Sequence, residues 1–291
     1  MKPIDTQTIA DGSVASAAAR GISVELAARS GAAVSAGRLI VNADDWGRSE
    51  ETTDRTWECV RCGAVSSVSA MTYMPDSERA AAMARERGVD AGLHLNLTSQ
   101  FLAADCPSRL AEQQRRVAKY LNGSPFARGI YNPFLARAFQ YVVAAQIEEY
   151  ARLYGTEPAR IDGHHHMHLS ANVLLGGFLP KGKILRRHFS HEAHEKAMRH
   201  RVFRWFTDFR LAGRFRVTDF FFPLIPLEPA ERLRRIFALA ARSTVEVETH
   251  PVNPAEYEFL TGGELFRLAE KIPVARGYAL NASARALSSI P

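Results

Sequence analysis

The sequence predicts an α/β protein built as a single (β/α) barrel of about seven or eight units. From residue 39 onward, short apolar runs of strand length alternate with Ala-rich or helically spaced segments, the order that a mostly parallel sheet requires. Polar clusters stand where predicted strands end, and in a parallel barrel all those ends open on one face. Size agrees: 291 residues at 46% hydrophobic and 23% charged can bury a large core, and α/β barrels routinely reach roughly 250 residues as one domain. The same balance excludes disordered and fibrous classes. No internal repeat or linker divides the chain, so 38–291 reads as one domain behind an Ala/Ser/Gly-rich, low-complexity leader over 1–37.

The elements follow in order. Leu39 to Ala43 is a buried-strand run ending in Asp-Asp-Trp-Gly, and 50–62 reads as a helix closed by Gly63. Val65 to Met71 is a second strand, Ser77 to Arg87 a helix ended by Gly88, and Ala91 to Leu97 a third strand. Residues 99–135 carry prolines and no clear period, so a lid or loop is expected there. Ala136 to Tyr154 has helical spacing and stops at Gly155. Strands are expected near Arg160–His164, Phe220–Phe222 and Val245–Thr249, with helices at about 190–212, 229–242 and 263–271.

Composition narrows the function. The net charge of +6 comes from 37 Lys and Arg against 31 Asp and Glu, an excess too modest and too dispersed for a nucleic-acid stripe. Residues 186–216 are the exception, Arg- and His-rich with interleaved aromatics. They read as a basic amphipathic helix on the barrel, with peripheral contact to an anionic glycan or lipid headgroup as the sharper alternative. Three cysteines, Cys59, Cys62 and Cys106, make no disulfide framework, which suits a reducing, cytoplasmic setting. Cys59 and Cys62 have C-x-x-C spacing but close a helix rather than open one, so they read as structural. The leader has no signal-peptide core, and no apolar run is long enough to span a membrane. No Gly-rich phosphate loop is present.

Chemistry concentrates in the polar clusters: Asn42-Ala43-Asp44-Asp45, Gly92-Leu93-His94-Leu95-Asn96, Asp162-Gly163-His164-His165-His166-Met167-His168 and Glu248-Thr249-His250-Pro251. Imidazoles and a carboxylate converging from three strand ends make a two-His, one-carboxylate metal site with positions open to water and substrate. Along an extended chain Asp162, His164, His166 and His168 share one face, so spacing alone leaves His164 and His166 both open as ligands.

Leu39 to Gly47, Gly92 to Thr98, Ile161 to His168 and His250-Pro251, in that order, resemble the YdjC-like carbohydrate deacetylase family, a likeness extending over roughly 39–285. It implies a distorted (β/α) barrel of about seven units, TIM-barrel-like and similar to NodB-type polysaccharide deacetylases, acting on N-acetylated amino sugars of the chitooligosaccharide type. By that resemblance Asp45, His94 and His164 are the metal ligands, Asp44 the general base and His250 the general acid. The cofactor is one divalent ion, Zn²⁺ favoured by the imidazoles and Mg²⁺ allowed by the likeness. Competing readings are a metallo-amidohydrolase of a non-sugar amide and a non-catalytic carbohydrate-binding protein. A homodimer is left open.

Overall fold

A computed structural model describes residues 37–190, 207–211 and 213–278. Apart from Gly37 the leader lies outside these residues, as does most of the helix expected at 190–212, of which Ser190, not helical, and 207–211, helical, are described.

Seven strands form one all-parallel sheet in the order β5-β4-β3-β2-β1-β7-β6. They are β1 (Arg38–Trp46), β2 (Ser67–Ala70), β3 (Ala91–Leu95), β4 (Arg160–Gly163), β5 (Ile184–Leu185), β6 (Phe220–Pro223) and β7 (Thr244–Thr249). The interior strand β1 is buried on both faces from Leu39 to Trp46, as a strand covered on both sides must be, and its Leu-Ile-Val start is the apolar run that this position selects. The sheet curls into a half-barrel whose edges meet without a full ladder: Ile184 bridges Arg216, and the Ser190 amide donates to the Phe221 carbonyl of β6 at 2.7 Å.

Helices α1 (Glu50–Arg61), α2 (Ser77–Arg87), α3 (Ser108–Asn122), α4 (Ala136–Tyr154), α5 (Ala171–Gly176), α6 (Ala230–Leu239), α7 (Pro254–Thr261) and α8 (Glu264–Ala269) are interspersed among the strands. Local chemistry sets several ends. Ser49 caps α1 by accepting from the Thr52 amide, and Glu50 and Glu51 lie in its first turn, where the helix dipole favours acids. Gly88 and Gly155 end α2 and α4 with φ of 66° and 74°, a left-handed turn that a Cβ would strain. Trp46, Leu93, Phe139 and Phe237 anchor the core.

One expectation needs correction. The segment 99–135 is not a structureless lid, because it holds the 15-residue α3. Its buried stripe is Leu110, Gln114, Val117 and Leu121, and a glutamine in the stripe masks the apolar period. The Gln114 amide donates to the Ser99 carbonyl at 2.6 Å, which satisfies its nitrogen.

Candidate active site

The site begins with an irregularity in β1. Consecutive strand residues normally point to opposite faces, yet the register against β2 shifts between Ala43 and Trp46, and Asp45 has a φ of 66°. Such a bulge re-aims side chains, and both aspartates reach one imidazole: His94 Nε2 lies 3.8 Å from Asp44 Oδ2 and 3.5 Å from Asp45 Oδ1. His94 comes from β3 and is oriented from behind by Asp162 of β4, Oδ1 to Nδ1 at 2.7 Å.

Beyond Gly163 the chain does not remain extended. His165 and His166 take φ of 53° and 58° within a 3-10 segment, His164–Leu169. This corrects the shared-face reading of the histidine tract and scatters it in three directions. His164 Nδ1 lies 3.0 Å from Asp45 Oδ1. His166 packs edge-on against Phe189 and Phe221, with Nε2 3.6 Å from Glu248 Oε2. His168 Nε2 meets the Arg186 carbonyl at 3.0 Å.

Asp45, His94 and His164 therefore converge, with ligand atoms within 4.8 Å of one another and all three residues buried. Asp45 Oδ1, His94 Nε2 and His164 Nε2 are buried with no hydrogen-bond partner, the 3.0 Å approach of His164 Nδ1 to Asp45 Oδ1 lacking hydrogen-bond geometry. Buried polar atoms are rarely left so, and a divalent cation is the partner that would satisfy a carboxylate and two imidazoles together. The donor set fits the expected ion. Asp44, His94 and Asp162 form a second such group, but there Arg186 already supplies the positive charge.

Arg186 is the site residue that the sequence reading missed. Read there as part of a surface basic segment, it is fully buried. It donates to Asp44 through Nη1 and Nη2 at 2.6 and 2.7 Å, reaches Asp162 at 3.0 Å, and donates through Nε to Glu246 at 2.7 Å. Its neighbour Arg187 is also buried. A two-residue strand whose only following cue is an arginine pair offers no periodic signal.

These charges set the protonation states. Burial alone would raise the Asp44 carboxyl, but Arg186 and His94 outweigh it and hold it far below the usual carboxylate range. Asp45 is likewise held far down against its burial by His164 and His94. Burial would lower His94, yet Asp44 and Asp162 lift it to about 10. The same negative field favours a divalent cation. Glu248 goes the other way, raised well above the ordinary value by burial and then by the Asp44 charge.

His250 follows β7 at the rim, half-exposed, with its amide held by Glu256 Oε2 at 2.9 Å and its Nε2 3.7 Å from Glu248 Oε1. Side-chain atoms of Asp44, Glu248 and His250 lie within 4.8 Å of one another. Cys59 belongs to none of these clusters: it is a buried free thiol in the core, pushed up to about 12 by burial and the neighbouring Cys62.

Over residues 38–270 the sequence matches the family described as YdjC-like protein. The chain belongs to this family. Among curated relatives, a chitooligosaccharide deacetylase of Serratia marcescens is 31% identical over 136 residues, 46% of this chain and 52% of the relative. A carbohydrate deacetylase of Geobacillus stearothermophilus is 34% identical over 136 residues, 46% and 51% of the two chains. A human carbohydrate deacetylase is 29% identical over 151 residues, 47% and 42%. The chain thus matches about half the length of these relatives. A crystal structure from Enterococcus faecalis V583, provisionally assigned to cellobiose-phosphate cleavage, superposes with a TM-score of 0.58 at 18% identity, covering 83% of this chain and 97% of that one. The curled parallel sheet of this YdjC-like chain is shared with that structure.

Proposed function

We propose that the chain is a metal-dependent N-deacetylase of an amino sugar or chitooligosaccharide-type glycan. The observation that carries this reading is the set of orphaned ligand atoms on Asp45, His94 and His164, lying beside an arginine-held Asp44 and a rim histidine. Relatives named chitooligosaccharide and carbohydrate deacetylases supply the substrate class.

Asp45, His94 and His164 would hold the ion, which when bound polarises the amide carbonyl, acidifies water and offsets the charge developing on oxygen. Zinc suits the two imidazoles and magnesium is tolerated. Asp162 fixes the His94 ring by accepting a hydrogen bond from Nδ1–H, so the Nε2 lone pair is left to face the ion. Arg186 keeps Asp44 ionised and in one orientation. Asp44 then accepts the proton of the attacking water as general base. An amine must be protonated to leave, and His250, close to Asp44 and open to the rim, delivers that proton. No redox or group-carrying cofactor is needed, because hydrolysis transfers neither electrons nor a carried group.

The free thiols Cys59, Cys62 and Cys106 accord with a reducing, cytoplasmic setting. Among the described residues no helix is long and apolar enough to cross a membrane. Acetate release from a panel of N-acetylated sugars, with metal content measured on the same preparation, tests the proposal. Release from non-sugar amides alone would replace the substrate class, and no release from any amide would remove the activity.

A further inference from the structure

Five acids surround the centre, and among the described residues Glu248 is the one with no arginine at ion-pair distance. Arg186 holds Asp44, Asp162 and Glu246, and Arg48 reaches Asp45 at 2.8 Å. Glu248 is only 7% exposed, and its Oε2 has no hydrogen-bond partner. A buried carboxyl left in this state is costly unless it has a task.

Its surroundings indicate the task. Alternate residues of a strand share a face, so Glu246, Glu248 and His250 follow one another along β7 and its end. Glu246 is held by Arg186 and Tyr278. Glu248 instead lies between two imidazoles, with Oε2 3.6 Å from His166 Nε2 and Oε1 3.7 Å from His250 Nε2. Asp44 of β1 is also within side-chain hydrogen-bond reach of Glu248, and Arg186 after β5 and His94 of β3 act on it through their charge. Asp44, Glu248 and His250 have ligand atoms close enough for a cation, but Arg186 already supplies the positive charge at Asp44.

We propose that Glu248 is a positioning residue for His250, sharing one proton with its imidazole and holding the ring beside Asp44, with His166 as its second contact. When the proton is on Glu248, the carboxyl donates it to the imidazole nitrogen; when it is on His250, the imidazolium donates to the carboxylate. The proton that His250 gives to a departing amine is then replaced from Glu248, which becomes the carboxylate. The 3.7 Å separation is longer than a hydrogen bond, so sharing the proton requires the contact to shorten in the substrate complex, as catalytic contacts commonly do. This role rests on the deacetylase reading, and its test is chosen to separate the two.

Glu248→Gln keeps the shape and can still hydrogen-bond both histidines, but it cannot pass a proton. For this variant and the parent, kcat, KM and the pH profile of acetate release are measured with bound metal, and the His250 ring is titrated by NMR. The expected variant folds, keeps its metal and holds KM within about threefold, while kcat falls about 10- to 100-fold, within the reach of lost acid–base assistance. The limb of the profile that His250→Gln abolishes is displaced in the variant, and the titration of the His250 ring with it, because the imidazole has lost the group that shares its proton. A purely structural Glu248 would leave kcat, the profile and the titration of the folded Gln variant at parental values, and that result overturns the proposal. If the parent releases no acetate, the deacetylase reading fails, while an unchanged His250 titration in Glu248→Gln still refutes the pairing by itself.

Discussion

Arg186 and Asp44 lie 142 residues apart in sequence and meet as a fully buried, two-pronged ion pair at 2.6 and 2.7 Å. The same guanidinium reaches Asp162 and Glu246, so its removal leaves several buried carboxylates without a counter-charge. Breaking a buried pair from one side costs about 3–5 kcal/mol. Arg186→Ala should therefore lower the denaturant midpoint sharply. Arg186→Lys keeps the charge but not the planar fork, so the folded protein should lose more in kcat than in KM. Parental turnover in Arg186→Lys would show that the orientation of Asp44 is unimportant.

The metal assignment is read without any substrate. Alanine at Asp45, His94 or His164 should empty the site, since each removes one of three converging ligands. Chelation should lower the melting temperature of the parent, because a ligand that binds only the folded state stabilises it. Full occupancy in His94→Ala would refute the triad. Retention in His164→Ala alone would move the ligand to His166, despite its position against Phe189 and Glu248.

His250→Gln should spare metal and most substrate affinity and cut turnover by about 10²–10⁴, the usual range for a general acid. Its imidazole touches no atom of the ligand triad that the structure records, and its amide contact with Glu256 survives substitution. A folded variant working at close to the parental rate ends the assignment.

The strand-ending motifs were legible because a parallel sheet sends every C-terminal end to one face. Ala136–Tyr154 and Ser77–Arg87 were legible to the residue because glycine stops both. What escaped has physical causes. Helix α3 hides its stripe behind Gln114 and starts at Pro107 with no side-chain cap. The histidine tract turns where His165 and His166 adopt a left-handed backbone that spacing cannot foretell. Arg186 looked like surface charge, since arginine is almost never fully buried unless paired, and its partners come from β1, β4 and β7.

The two cysteines of α1 should be dispensable for turnover. Cys62 is exposed, so Cys62→Ser should be silent; Cys59 is wholly buried, so Cys59→Ser places a hydroxyl in the core at about 1–3 kcal/mol. Chemical denaturation should register the second change, while acetate release by the folded fraction remains parental. A large loss of kcat in a folded double variant would give the pair a function.

His168 makes acid stability testable. Its ring is fully buried, Nε2 is bonded to the Arg186 carbonyl and Nδ1 has no partner. Burial, only partly opposed by that carbonyl and by Asp162, lowers it from 6.5 to about 4. Between those values the unfolded chain binds the proton and the folded chain does not, so stability rises with pH across the window. The contribution is complete above about 6.5 and is lost progressively as pH falls toward 4, by up to about 3 kcal/mol for a shift of this size. His168→Gln retains an N–H donor for the carbonyl and removes the titration. Urea midpoints at pH 7 and pH 4.5 should therefore separate more in the parent than in the variant. Acid release of a bound metal would act on both proteins, so the difference between them isolates His168. Equal pH dependence in parent and variant would show that His168 is not held neutral by its burial.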